Sequence, residues 1–255
     1  MLQMCKPPTG WPGKLVAANS GGPDSTCLSF LLNDTLRKIK TGCEDKRVAP
    51  GILLLSGVHQ HGTDAVAFGH HADDRLETFL TRLANSTRFV GLGGMKLVRR
   101  FGMDDGSPGQ MGRYGICGMQ RWTVRPLLSV SKDRVFATCD EHGLDYVTDE
   151  TNFQPGVTLR DAVSHALAGG SISDDIRRNR TLRKMATNAE RLEVPLTFPD
   201  GVESLRLLAS DYASKIGMIG TEAHTLLRGC TIPSPPSTIH LPQDKLSRIT
   251  NSLLQ

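Results

Sequence analysis

Six residues, Ser20-Gly21-Gly22-Pro23-Asp24-Ser25, limit the folds open to this chain more than any other stretch. An apolar run of strand length, Lys14 to Ala18, leads into them. A second run follows, with apolar residues at Cys27, Leu28, Leu31 and Leu32, the spacing of a helix packed on a sheet. Strand, glycine turn and helix together form a βα unit. The glycines allow positive φ and let a ligand approach the backbone closely. The unpaired N–H groups that open the helix, with the helix dipole, favour an anion, phosphate above all. The turn has neither the G-x-x-x-x-G-K-[ST] spacing nor G-x-G-x-x-G, so a P-loop and a dinucleotide fingerprint are both excluded. The plainer alternative is a glycine-rich βα turn with Asp24 in a first helical turn, where a carboxylate is favoured in any case.

The same pattern recurs downstream. Gly51–Ser56 reads as a buried strand, and Gly62–Gly69 carries the strand-like core Ala65-Val66-Ala67-Phe68. It ends at His70-His71-Ala72-Asp73-Asp74, followed by Leu76, Phe79, Leu80 and Leu83 on one helical face. In an open α/β sheet, polar residues at the carboxyl ends of strands mark the ligand edge. Asp74 and Glu77 also fit a capping arrangement, with Asp74 as cap and Glu77 reaching back. That leaves the paired histidines unexplained. The alternative is a polar mouth in which carboxylates hold Mg²⁺ against phosphates and a histidine touches a reacting group. His59-Gln60-His61 lies nearby, but no cysteine has ligand spacing, and no metal site is expected from these four histidines.

Gly91–Gly118 is glycine-rich and reads as a long loop. Trp122–Leu128 reads as a strand stopped by Pro126, and Ser131 caps a helix that runs to about His142 with Gly143 as its stop. Arg125 before Pro126 is fixed in direction and suits a phosphate or carboxylate. Asp149–Thr158 is turn chemistry; Leu159–Leu167, Asp174–Leu192 and Val202 to about Leu227 read as helices. A boundary near Gly169-Gly170 divides the 255 residues into 1–168 and a helical appendage, 169–255. Net charge is +4, but its distribution is uneven. Arg75–Arg134 holds eleven Lys/Arg against four acids, and Arg177–Arg191 six against Glu190 alone, patches suited to a polyanion. Six scattered cysteines without C-x-x-C fit a reducing compartment. No run approaches a membrane span and the first residues lack a signal core, so an intracellular protein, cytoplasmic or mitochondrial, is expected.

Taken in order, the motifs carry a resemblance. Ser-Gly-Gly-x-Asp-Ser resembles the pyrophosphate-binding loop of the N-type ATP pyrophosphatases. With His-His-Ala-Asp-Asp-x-x-Glu-Thr-x-x-x-Arg (to Arg82), Arg-Pro-Leu-Leu-x-Val-Ser-Lys (Arg125–Lys132), Gly-Leu-x-Tyr-Val-x-Asp-x-Thr-Asn (Gly143–Asn152) and Thr-Leu-Arg (Thr158–Arg160), the chain resembles the tRNA(Ile)-lysidine synthetases from about Leu15 to His165. The resemblance implies an α/β fold: a Rossmann-like PP-loop parallel sheet with helices, followed by a mainly helical C-terminal region. It implies ATP and Mg²⁺ as cofactors, free lysine as co-substrate, and a tRNA(Ile) with a CAU anticodon as partner. The implied reaction adenylates C2 of wobble cytidine 34 and lets lysine displace AMP. Ser20, Gly21, Gly22, Pro23, Asp24 and Ser25 would bind the nucleotide. Asp24, His70, His71, Asp73, Asp74 and Arg125 would be catalytic, with Asp24 and Asp74 as metal ligands and Arg160 on tRNA phosphate. The chain departs from the pattern in its short connector between Ser25 and His70, about half the usual span. Asp161 stands where the family usually has asparagine, and Ser164 where it usually has arginine. The alternatives are another PP-loop tRNA-modifying ligase or thiolase, or a catalytically impaired remnant that binds ATP or tRNA.

Overall fold

In the computed structural model of the chain, the described residues are 2–10, 14–40, 52–53, 63–85, 88–101, 121–147, 180–194 and 202–228. The loop's flanks form as their patterns dictate: β1 is Leu15–Ala18 and α1 is Pro23–Lys40. Pro23 opens α1 without cost, because the first helical N–H has no intrahelical acceptor anyway. The next elements are β2 (Ile52–Leu53), β3 (Ala65–Ala67), α2 (Ala72–Ala84), α3 (Phe89–Leu92), β4 (Val98–Arg100) and β5 (Trp122–Val124). Helices α4 (Lys132–Glu141), α5 (Arg180–Arg191) and α6 (Val202–Arg228) follow, and a 3₁₀ turn at Leu2–Cys5 precedes β1.

The strands make one sheet in the order β2-β1-β3-β5-β4. β1 pairs in parallel with β2 on one side and β3 on the other, and β3 pairs in parallel with β5. Strand order therefore reverses direction at β1, and a crevice opens outside the carboxyl ends of β1 and β3. The loop after β1 and the histidine pair after β3 both lie at that crevice. β3 has neighbours on both edges, and all three of its residues are buried, which small and β-branched side chains permit. This is the α/β class expected, a largely parallel sheet with helices.

Two expectations need correction. Gly91–Gly118 is not one loop: its first part holds the end of α3 and then β4, an antiparallel edge strand on β5. β4 is three residues long and two are arginine, so no apolar alternation announces it. The strand at Trp122 ends at Val124, before Pro126 rather than at Leu128. Pro126 has no N–H for a ladder, and the chain turns instead, with Leu128 N donating to Arg125 O and Val130 N to Leu127 O. Leu127 and Leu128 are fully buried in that turn. The polar connector 41–50, the remainder of the strand at Gly51–Ser56, the helix at Leu159–Leu167 and the boundary at Gly169-Gly170 lie outside the described residues.

Among the described residues two main apolar cores form, beside a small cluster around Val66 and Phe101. One joins α1, α4 and the strands through Leu28, Leu32, Val124, Leu127 and Val135. The other is built on α2, whose Leu76, Phe79, Leu80 and Leu83 are at most 1% exposed. They meet Leu92 of α3, Met185 and Ala189 of α5, and Leu205, Tyr212 and Ile216 of α6. The helices beyond the expected boundary thus share a core with the helix that carries Asp73 and Asp74. Asn188 of α5 donates through Nδ2 to Leu83 O at 2.9 Å and Ala84 O at 3.3 Å. It satisfies carbonyls that the end of α2 leaves without intrahelical donors.

Backbone proximity sets the crevice. A Cβ on Gly69, just after β3, would lie 2.9 Å from both C and O of Asp24 and 3.1 Å from Ser25 N. Those atoms are backbone and belong to the first turn of α1, so they cannot swing away. Gly69→Ala is therefore expected to lower thermal stability and to weaken pyrophosphate binding at least tenfold. Gly143→Ala, at positive φ but with open space around it, should cost stability of order 1 kcal/mol and leave binding intact. Differential scanning fluorimetry and calorimetric titration of pyrophosphate check both.

Candidate nucleotide-binding site

The glycine loop is braced from inside. Asn19, the residue after β1, accepts through Oδ1 from Gly21 N at 2.8 Å and from Ser25 Oγ at 2.9 Å. Ser20 N donates to Ser25 Oγ at 3.1 Å, and the two hydroxyls lie 3.2 Å apart. Gly21 has φ +83°, so its conformation is one that L side chains rarely adopt. Val147 N donates to Gly21 O at 2.9 Å, which lays the Gly143–Val147 segment across the loop. Beneath the loop, Cys139 Sγ of α4 donates to Pro23 O at 3.6 Å. Burial, with Cys139 beside it, pushes the Cys27 thiol up to about 11, so this is an inert pair at neutral pH.

Asp24, in the first turn of α1, points into the crevice and receives Lys132 Nζ at 2.6 Å on both carboxylate oxygens. Lys132 opens α4, with Ser131 as its N-cap residue. His71 is the N-cap of α2 and is buried, 3% exposed. Its Nε2 lies 3.6 Å from Asp24 Oδ1 and 3.6 Å from Asp74 Oδ2, and its Nδ1 lies 3.8 Å from Asp73 Oδ2. Three carboxylates therefore surround one imidazole. The capping arrangement starts three residues earlier than the sequence suggested. His71, not Asp74, is the cap, and Asp74 Oδ2 reaches back to accept from His71 N at 2.8 Å.

His70 faces the other wall. Arg125 Nε donates to His70 Nδ1 at 3.3 Å, and Arg125 Nη1 donates to Lys96 O at 3.0 Å. Burial, and then the neighbouring guanidinium, hold the His70 imidazole below its ordinary pKa. It stays neutral at pH 7 and can accept that bond.

Asp73, expected among the catalytic residues, is turned toward the protein. It is 3% exposed, and both oxygens are engaged by the protein. Oδ2 accepts from Lys132 N at 2.8 Å, while Oδ1 accepts from Arg206 Nη2 at 2.6 Å and Nε at 3.1 Å. Burial by itself raises a carboxyl pKa, but these donors outweigh it and the net shift is downward. Asp73 joins α2 to α4 and α6. Among the described residues no group of three or more His, Cys, Asp and Glu could hold a metal ion. Asp149–Asn152, Thr158–Arg160 and the histidines at 59 and 61 lie outside the described residues. Asn19, Gly69, Lys132 and Arg206 were not singled out by sequence reasoning. Lys132 stood in a quoted motif without a role, Asn19 was a polar residue at a strand end, and Arg206 gave no signal.

Residues 52–169 of this α/β chain match a PP-loop domain family model. Within that class the chain is related to proteins named tRNA(Ile)-lysidine synthase. It is 38% identical over 99 residues to that of Bacillus subtilis, covering 39% of this chain and 17% of the relative. It is 33% identical over 177 residues to that of a Bradyrhizobium species, covering 68% and 43%. The Methylobacterium nodulans protein is 30% identical over 200 residues, covering 68% and 54%. The matched part of the chain thus spans at most about half the length of these relatives. No described helix is long and apolar enough to cross a membrane.

Asp73 carries a pH signature. Its folded pKa is depressed, so the stability it contributes is fully present above the unfolded value, about 3.9. That stability is lost as pH falls from there through the folded value. Asp73→Asn should flatten this acid limb of a urea-melt series. Arg206→Met, which takes two hydrogen bonds and the paired charge from a buried carboxylate, should cost on the order of 3 kcal/mol at pH 7. The double variant should cost less than the sum.

Proposed function

We propose that the chain catalyses ATP-dependent ligation of lysine to C2 of cytidine 34 in a tRNA(Ile) with a CAU anticodon, forming lysidine. The observation that carries this reading is convergence. The braced loop, His70 and His71, Asp74 and the start of α4 meet at one switch-point crevice, in a chain similar to tRNA(Ile)-lysidine synthases. Residues 1–168 serve as the PP-loop domain, and 169–255 as a helical region docked on α2.

The Ser20–Ser25 turn and the opening of α1 contribute to holding the triphosphate through the amides not spent within the loop and through the helix dipole. The C2 oxygen attacks the α-phosphorus, the bond to the bridging oxygen breaks, and pyrophosphate leaves. The lysine amine then forms the N–C2 bond, loses a proton, and AMP departs with the C2 oxygen. Activation supplies the leaving group, so the chain's main task is placement. His71, packed among three carboxylates, is suited to holding or passing a proton near the amine. Neutral His70 and the guanidinium of Arg125 orient the base or the adenylate phosphate. The donor set fits Mg²⁺: Asp24 and Asp74 are hard, partly exposed carboxylates on either side of His71 Nε2, and magnesium commonly takes one or two carboxylates plus phosphate oxygens. When bound there it would offset phosphate charge. Asp73 positions α4 and is not a ligand in this reading. The exposed Arg183, Lys184 and Arg191 of α5 face solvent and suit tRNA phosphates. The reading places the protein in the cytoplasm.

Mass spectrometry of C34 after incubation of CAU-anticodon tRNA with ATP, Mg²⁺ and lysine tests it. Lysidine is the expected product, and its absence while ATP still binds would sink the reading in favour of a remnant that binds ATP. Asp24→Ala should abolish pyrophosphate release while the circular dichroism spectrum stays unchanged. Alanine at Arg183, Lys184 and Arg191 together should reduce the slope of log affinity against log salt by about 2–3, since each lost phosphate contact removes nearly one released counterion. An unchanged slope returns α5 to a solvated face.

A further inference from the structure

The glycine loop is poorly equipped to bind a polyphosphate by itself. Two of its amides are spent internally, Ser20 N on Ser25 Oγ and Gly21 N on Asn19 Oδ1. Pro23 has no N–H at all. The loop has no lysine or arginine, and it carries one acid, Asp24. Its own charge is thus of the same sign as its ligand. Lys132 is the cation that the described residues bring against the loop, with Nζ 2.6 Å from both oxygens of Asp24. The lysine is partly exposed, 24% by side chain, and Asp24 is 31% exposed, so the pair lies at the crevice mouth, open to a ligand.

The base of this side chain is held independently of Asp24. Lys132 N is bonded to Asp73 Oδ2, Asp73 is bonded to Arg206, and Nζ lies 4.9 Å from the ring centre of Phe136. A flexible four-carbon stem on a fixed backbone lets the ammonium change acceptor without moving the helix.

We propose that Lys132 is the phosphate-reading residue of this site, supplied from the start of α4 because the loop lacks one. In this structure it neutralises Asp24, and with nucleotide bound its ammonium donates to a phosphate oxygen. This rests on the phosphate-binding part of the function proposed above and not on the tRNA or lysine steps.

The test is calorimetric titration of inorganic pyrophosphate and of ATP, in EDTA and without tRNA or lysine, against wild type, Lys132→Met, Lys132→Arg, Asp24→Asn and the Asp24→Asn/Lys132→Met double variant. The bond to Asp73 uses the backbone amide, so the methionine variant should keep its melting temperature within a few degrees. Lys132→Met should weaken pyrophosphate and ATP about 10- to 100-fold, the effect of one lost charge-assisted hydrogen bond. Lys132→Arg should retain most of the affinity. The double variant decides between reading phosphate and merely masking Asp24. It should stay as weak as Lys132→Met if the ammonium touches phosphate. Recovery to wild-type affinity in the double variant, wild-type affinity in Lys132→Met, or no pyrophosphate binding by the wild type would each overturn the assignment. Wild type that binds pyrophosphate through Lys132 yet forms no lysidine leaves this assignment standing and removes only the tRNA reading.

Discussion

The buried carboxylate of Asp73 is the constraint on which the working part of this structure depends. An ionised group in so dry a place costs several kcal/mol unless donors surround it. Here the donors come from two other helices, the amide of Lys132 at the start of α4 and the guanidinium of Arg206 in α6. The energetic demand of one side chain therefore fixes where three helices begin or cross. Once α4 is placed, Lys132 faces Asp24, Cys139 lies under Pro23, and the segment ending at Val147 reaches the loop. The crevice at the glycine loop and α6 are mechanically joined through this carboxylate.

That arrangement ties α5 and α6 to the crevice through the core on α2 and through Asp73. α5 and α6 close the core over α2, and Arg206 completes the partners of Asp73. Glu203 and Asp133 lie on the outer side of the same guanidinium, at 3.0 and 3.8 Å, but both are well exposed and contribute little beside the buried bond. Loosening α6 would release Asp73, and Asp73 would then draw on whatever cation or amide lies near, Lys132 included.

Local chemistry carries through where the information lies in neighbouring residues. The glycine loop, the helix face of Leu76, Phe79, Leu80 and Leu83, the Ser131 start of α4 and its end at Gly143 were all legible, because each is a periodicity or a cap read within one turn. β4 was not legible. Three residues with two arginines form a strand only because β5 offers an open edge, a fact about the sheet and not about the segment.

The candidate site divides along the same line. The sequence by itself determined that a glycine turn precedes α1, that polar and acidic residues follow β3, and that the chain is similar to a family with both. It could not say which carboxylate faces ligand and which faces protein. Asp73 and Asp74 are adjacent in sequence with the same chemistry, yet a helix turns about 100° per residue. One is carried into the α2–α4–α6 junction and the other to the crevice mouth. Only packing decided that, as it decided that Gly69 must lack a side chain and that Lys132, 108 positions from Asp24, would meet it. Spacing along a chain encodes which residues share a face of one element. Which faces meet is settled by burial shared among elements, and no single segment contains it.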